Sequence, residues 1–241
     1  KADNNTNGAQ EEVIFPINFD GVRTKTYGGT TYLIHASCTN EVGETLGIDF
    51  GWQGFRVRQE FMQTVGTDPR VMKVAGSTDP AFISDYSKFE QGAKVIKFSN
   101  KTSTGSNGSD VNFTDADFPI FRMADAYLMY AELAVVNGKG SLATATTYIN
   151  ALRTRGNSPT ITQTALSPDF ILAERARELY WEGYRRQDLI RFGKYSAGSN
   201  YNWQWKGGSI NGNNLPEYRN LFPIPNKYLN LNSNLSQNPG Y

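Results

Sequence analysis

The chain has 241 residues, of which 39% are hydrophobic and 20% charged, and its net charge is +1. That length can bury one large core or two small ones, and the hydrophobic fraction excludes disorder throughout. A charge so close to neutral supplies no basic excess for phosphates, which excludes nucleic acid as a partner.

Residues 1–12 are polar and rich in Asn and Gly, and read as a loose lead-in. From Val13 to about Phe61, short apolar and aromatic runs are broken by Gly, as in Tyr27-Gly28-Gly29 and Gly51-Trp52-Gln53-Gly54-Phe55. Glycine weakens a helix interior, so this stretch is expected to be extended segments and turns, with Tyr32-Leu33-Ile34 as a short strand. Between Asp79-Pro80 and Lys97 there is little periodicity apart from the strand-like Lys94-Val95-Ile96-Lys97-Phe98. Lys101 to Asp110 is a Ser/Gly/Asn/Thr-rich exposed loop.

Helical signal begins after that loop. Ile120, Ala124, Tyr127, Leu128, Ala131 and Val135 form one apolar stripe at helical spacing, closed by Asn137-Gly138. Ser141 then caps a second helix with Leu142, Ala145, Ile149 and Leu152 on one face and Gly156 past its end. This pair has about the length of one tetratricopeptide (TPR) unit, which cannot bury its apolar face alone. A third helix opens at Ser167-Pro168, cap followed by Pro at the first helical position, and is expected to run to about Phe192. Beyond it come an aromatic, polar stretch (Tyr201, Trp203, Trp205) and the extended Leu221-Phe222-Pro223-Ile224-Pro225.

Three groups of residues could carry chemistry. Glu174, Glu178 and Glu182 recur every four residues and could form an acid/base pair, which a glycosidic bond needs at roughly 5–9 Å separation. Each has an Arg nearby in sequence (Arg175 for Glu178, Arg185 and Arg186 for Glu182), which lowers a carboxylate pKa and works against a general acid. The expectation is a structural ion-pair network and no catalytic residue. The second group is the aromatics with polar neighbours. A sugar offers a flat C–H face ringed by hydroxyls, matched by an aromatic ring beside amide or guanidinium groups. Tyr32, Trp52, Phe55 and Arg56 fit that description, as do Trp203 and Trp205, whose alternation with Tyr201 would align three rings on one strand face. These six residues are the expected glycan contacts.

The third group is small. A single cysteine, Cys38, excludes an internal disulfide framework and multi-Cys metal sites, and a single histidine, His35, excludes paired-His metal motifs. No cofactor or metal is expected. Leu33 to Cys38 has the outline of a lipidation site, but His35 stands at its small-residue position and no apolar run precedes it, so Cys38 reads as a buried thiol. No stretch of 18 apolar residues is present to span a membrane as a helix. The chain starts Lys1-Ala2-Asp3 rather than with Met, which reads as a processed or cut product.

Several motifs resemble the C-terminal half of the SusD/RagB family of nutrient-binding outer-membrane lipoproteins. They are Phe121-Arg122-Met123-Ala124-Asp125 with Ala131-Glu132, and the charged run holding Glu174, Arg175, Glu178, Trp181, Glu182, Gly183, Arg185, Asp188 and Arg191. Phe222-Pro223-Ile224-Pro225 and the terminal Asn234-Leu235-Ser236-Gln237-Asn238-Pro239-Gly240-Tyr241 complete the set. The resemblance implies a mainly α fold. A TPR-like helix pair and a long C-terminal helix would be joined by extensive irregular loops and a few short strands, as the C-terminal portion of a SusD-like α-superhelix. Within 13–241 it implies a loop-rich portion (13–116), a helical portion (117–195) and an extended C-terminal segment (196–241), with the N-terminal repeats outside this chain. It further implies a non-enzymatic protein for polysaccharide utilisation, on the extracellular face of the cell outer membrane. Such a protein is lipid-anchored through an N-terminus not in this chain, and delivers oligo- or polysaccharide to a SusC-like TonB-dependent transporter. In the family an aromatic before an Asp-Pro-Arg element, here Asp68-Pro69-Arg70, joins the binding site, and Tyr27, Tyr32, Trp52 and Phe55 precede it. Two other readings stand beside this one: a TPR-like protein adaptor, and a glycoside hydrolase.

Overall fold

A computed structural model describes residues 1–74, 82–196 and 198–241 of the chain. Asp79 and Pro80, within the stretch of little periodicity, lie outside the described residues. The chain divides into two units, Lys1–Arg185 and Arg186–Tyr241.

In the first unit, β1 (Val13–Ile17) pairs antiparallel with β4 (Phe118–Arg122), and β2 (Met72–Lys73) pairs antiparallel with β3 (Val95–Ile96). Among the described residues, five helices lead up to and include the TPR-like pair: α1 (Gly29–Ser37), α2 (Asn40–Gly43), α3 (Gln59–Val65), α4 (Met123–Val136) and α5 (Leu142–Arg155). α6 (Pro168–Leu179) packs on both α3 and α4. The helix pair is α4 and α5, fastened by Tyr148, which stacks on Tyr127 at 4.4 Å and meets Tyr130 edge-on at 5.2 Å. Ser141 and Ser167 act as N-caps, their hydroxyls accepting from Thr144 N at 3.3 Å and Phe170 N at 3.1 Å.

One core cluster gathers Ile34, Cys38, Leu46, Ile48 and Ala116; another gathers Val65, Val71, Val95 and Tyr180. Burial pushes the Cys38 thiol up to about 11, as expected of an inert core cysteine. Residues 1–12 are tied down: Ala2 is buried, Asp3 accepts from Ser103 Oγ at 2.6 Å, and Glu12 pairs with Arg122 at 2.8 Å.

Three expectations from the sequence are corrected here. Tyr32-Leu33-Ile34 is not a strand but the middle of α1, where Thr30, Thr31, Ile34 and His35 are all buried. Two of those inward positions are threonines whose hydroxyls find partners, Thr30 donating to Ala116 O at 2.5 Å, so the helix turns a polar-looking face to the core. Ile120 belongs to β4, and the helical stripe starts at Ala124. The charged run is not one helix: α6 ends at Leu179, Trp181 and Gly183 take positive φ of 61° and 84°, and α7 (Arg185–Arg191) follows. A left-handed residue cannot continue a right-handed helix.

In the second unit, α8 (Asn226–Leu231) is flanked by the two terminal motifs, which clasp each other. The Gln237 side chain bonds both Ile224 N and Ile224 O, at 2.8 and 2.9 Å, as a strand partner would. Asn238 Nδ2 donates to Phe222 O at 2.7 Å and the Tyr241 hydroxyl to Leu221 O at 2.8 Å. Pro223 and Pro225 cannot donate to a sheet, so side-chain amides take over that role.

Candidate functional site

The charged helix is a buried network; Arg177 pairs locally with Glu174 at 3.2 Å, and the other partners of its glutamates come from distant segments. Glu174, Glu178 and Glu182 are all buried. Arg70 donates to Glu174 at 2.7 Å and to Glu178 at 3.1 Å, and Arg153 reaches Glu174 at 2.8 Å. Arg122 holds Glu182 in a two-pronged contact, both bonds 2.7 Å, and also Glu178 at 2.7 Å. Arg155 and Lys97 close on Glu178 and Glu182 respectively.

The pairing expected within the run does not occur for Glu178 and Glu182. Arg175 instead faces Asp125 at 3.0 Å, and Arg185 donates to Leu172 O at 2.9 Å. Arg186, in the second unit, donates to the carbonyls of Arg219 and Asn220. Neighbour-pair reasoning presumes an exposed, continuous helix; here the face is buried and the helix stops short of Glu182. Burial would push the Glu178 carboxyl up, but Arg122, Arg155 and Lys97 outweigh it and hold it at about 2. A carboxylate so placed carries no proton at neutral pH and cannot act as a general acid.

The aromatic residues around α1 make a different arrangement. The Gly51–Phe55 loop folds back over the C-terminal end of α1, whose last carbonyls lack helical partners. Trp52 N donates to His35 O at 2.7 Å, Phe55 N to Ala36 O at 3.0 Å and Gln53 N to Cys38 O at 3.2 Å. Gly51 permits this approach, since a Cβ there would stand 2.2 Å from Cys38 O. Thus the loop caps the helix and the helix fixes the loop.

Held this way, Trp52 stacks on His35 with centroids 4.5 Å apart and planes 22° from parallel. Tyr27 and Tyr32 flank the indole at 5.9 and 6.2 Å, tilted by 52° and 47°. The row continues from Tyr27 to Phe113 at 5.0 Å, and from Tyr32 through Phe55 to Trp181, both steps 4.9 Å. Tyr27 is 65% exposed and Tyr32 45%, so the row presents polar-tipped rings to solvent. Trp52 and Phe55 are half-buried.

Of the expected site residues, Tyr32, Trp52 and Phe55 come together in this row. Arg56 turns away from it: its guanidinium donates to Tyr86 O at 2.7 Å and Lys88 O at 2.6 Å and covers the Phe89 ring. Trp203 and Trp205 belong to the second unit and share no strand face with Tyr201. Trp205 sits at φ 65° ahead of a short 3-10 turn, and Lys206 Nζ lies 4.6 Å over the Trp203 ring. Sequence reasoning missed His35 and Phe113 as members of the row. The signal available was the spacing of Thr30, Thr31, Ile34, His35 and Cys38, which is helical once Thr and His are allowed inside. Among the described residues no group of three His, Cys, Asp or Glu side chains could hold a metal ion.

Residues 61–241 match the SusD family. Over 290 aligned positions the chain is 34% identical to the starch-binding protein SusD of Bacteroides thetaiotaomicron, covering 100% of this chain and 51% of that protein. Among solved structures, surface glycan-binding protein A from Bacteroides thetaiotaomicron in complex with laminarihexaose is similar at 23% identity and a TM-score of 0.65, covering 98% of this chain and 54% of that one. A SusD-like protein from Bacteroides fragilis gives 18% identity and a TM-score of 0.65, over 98% and 55% of the two chains. The chain spans about half the length of the relatives it matches, and the structural likenesses bear on fold alone.

Proposed function

The chain belongs to the SusD family, and we propose on that premise that it binds oligosaccharide on the row of aromatic rings around Trp52. The observation that carries the reading is the Trp52 platform itself. One indole face rests on buried His35, tyrosines stand on either side, and the loop beneath is fixed by three backbone hydrogen bonds to α1. A sugar's C–H face stacks on the opposite face of the indole while the phenol hydroxyls of Tyr27 and Tyr32 reach its hydroxyls. Phe55 meets Tyr32 edge-on at 4.9 Å, and Arg56 holds the carbonyls of Tyr86, Lys88 and Gln91. Trp203 and Trp205 belong to the second unit, where Lys206 packs over the Trp203 ring.

Binding without turnover is the proposed activity. The three glutamates of the charged run are spent on arginines and Lys97, and Glu178 stays ionised far below neutral pH. The wider setting proposed is that of the family: the outer-membrane surface, a lipid anchor, and transfer of the captured glycan to a SusC-like TonB-dependent transporter. A starch-binding relative and a laminarihexaose complex of a similar fold support sugar as the ligand class.

The test is titration of the chain with a panel of α- and β-linked gluco-oligosaccharides, followed by chromatography of the recovered sugar. Saturable binding with intact sugar is expected. No binding across the panel removes the glycan reading, and shortened sugar removes the non-enzymatic one.

A further inference from the structure

His35 is an unusual choice for the layer under Trp52. It is 1% exposed, and its Nδ1 lies 2.8 Å from Phe50 O. A carbonyl only accepts, so Nδ1 carries a hydrogen toward Phe50 O. The other ring nitrogen, Nε2, is buried with no hydrogen-bond partner among the described residues. A phenylalanine would cover the indole without stranding a polar atom, so packing alone does not account for the imidazole. What the imidazole adds is the Nδ1–H bond, which fixes the plane of its ring about the χ2 torsion. The main chain of the same residue also holds Trp52, through His35 O and Trp52 N at 2.7 Å. Backbone and ring of one residue therefore set the position and the tilt of the indole.

We propose that His35 is a positioning residue for Trp52, using its stacked, hydrogen-bonded imidazole to hold the indole face at the angle a sugar ring meets. The inference rests on the reading of Trp52 as the sugar platform. Asp49, whose Oδ1 is 4.0 Å from Nδ1, accepts from Phe50 N at 2.8 Å, and the peptide that bears the accepting carbonyl is steadied by Gly51 N donating to Asn40 Oδ1 at 3.1 Å.

The experiment is a double-mutant cycle by calorimetry with maltoheptaose and laminarihexaose, using whichever binds the wild-type chain more tightly. His35→Phe keeps the packed ring and drops the hydrogen bond; His35→Asn keeps a donor and drops the ring. Each is expected to weaken binding about fivefold when Trp52 is present, and less than about twofold in a Trp52→Ala background. In parallel, the chain is labelled with 5-fluorotryptophan and the Trp52 resonance identified by its absence in Trp52→Phe. That resonance is expected to move in both His35 variants while those of Trp203 and Trp205 stay in place.

If Trp52→Ala leaves affinity unchanged, or neither sugar binds the wild-type chain, the platform premise fails and the inference with it. If Trp52→Ala weakens binding but the His35 variants do not, or weaken it equally in both backgrounds, the platform stands and the positioning role is overturned. If both His35 variants lose their circular-dichroism signal, His35 is a core residue and the positioning role is likewise overturned.

Discussion

Gly51→Ala probes the joint between fold and site. The added methyl would stand 2.2 Å from Cys38 O, 2.6 Å from Cys38 C and 2.7 Å from Thr39 C. All three are main-chain atoms at the end of α1, so none can swing aside as a side chain would, and the loop must lift. Lifting it breaks or lengthens the bonds from Trp52, Gln53 and Phe55 to the carbonyls of His35, Cys38 and Ala36. At about 1 kcal/mol net for each such bond, the expected loss of stability is about 2–3 kcal/mol. The indole also leaves its seat on His35, so affinity for oligosaccharide should fall at least about tenfold, equivalent to roughly 1.4 kcal/mol. Urea denaturation reads the first effect and calorimetric titration of the folded chain the second. Gly66→Ala serves as the control for affinity: a methyl there meets nothing within 4 Å, and its φ of 60° with ψ of −129° adds local backbone strain of about 1–3 kcal/mol. If Gly51→Ala keeps both stability and affinity within the wild-type range, the claim that α1 presents Trp52 is wrong.

Other predictions concern the frame. Glu178→Gln leaves Arg122, Arg155 and Arg70 facing a neutral amide, and should cost about 3–5 kcal/mol in urea denaturation while leaving the folded chain's sugar affinity intact. Glu178 and Asp68 are each held at about 2, below the ordinary carboxylate range. Their contribution is therefore complete above about pH 4.5 and is lost as pH falls from there towards about 2, which thermal melts across that window would trace. Gln237→Ala removes both bonds to Ile224 and should raise amide exchange in the Leu221–Pro225 segment. Trp203→Ala should destabilise residues 186–241, read as faster amide exchange in that unit.

What could be read from the sequence was whatever local rules decide. The caps at Ser141 and Ser167, the apolar stripe from Ala124 and the short strand at Val95 follow from side-chain chemistry within a few residues. The terminal motif marked the family, although its work, an amide standing in for a strand, emerges only when Gln237 is seen against Ile224. The site was half legible. Trp52, Tyr32 and Phe55 could be named as sugar-facing aromatics, but α1 beneath them could not, because Thr30, Thr31 and His35 occupy inward positions where a hydrophobic pattern expects aliphatics. Their hydroxyls and ring nitrogen are mostly satisfied by Ala116, Thr114 and Phe50, partners between 15 and 86 residues away. The glutamates failed for the same reason. Neighbouring arginines were the local answer; Glu174 keeps one, Arg177 at 3.2 Å, but the other arginines used arrive from positions 70, 122, 153 and 155.

The central claim is that sugar is held on Trp52. Calorimetric titration of the wild-type chain and of Trp52→Ala with the same oligosaccharide tests it most directly. At least about a tenfold loss of affinity in a variant with an unchanged melting temperature is the predicted result. Equal affinities in the two proteins would contradict the account.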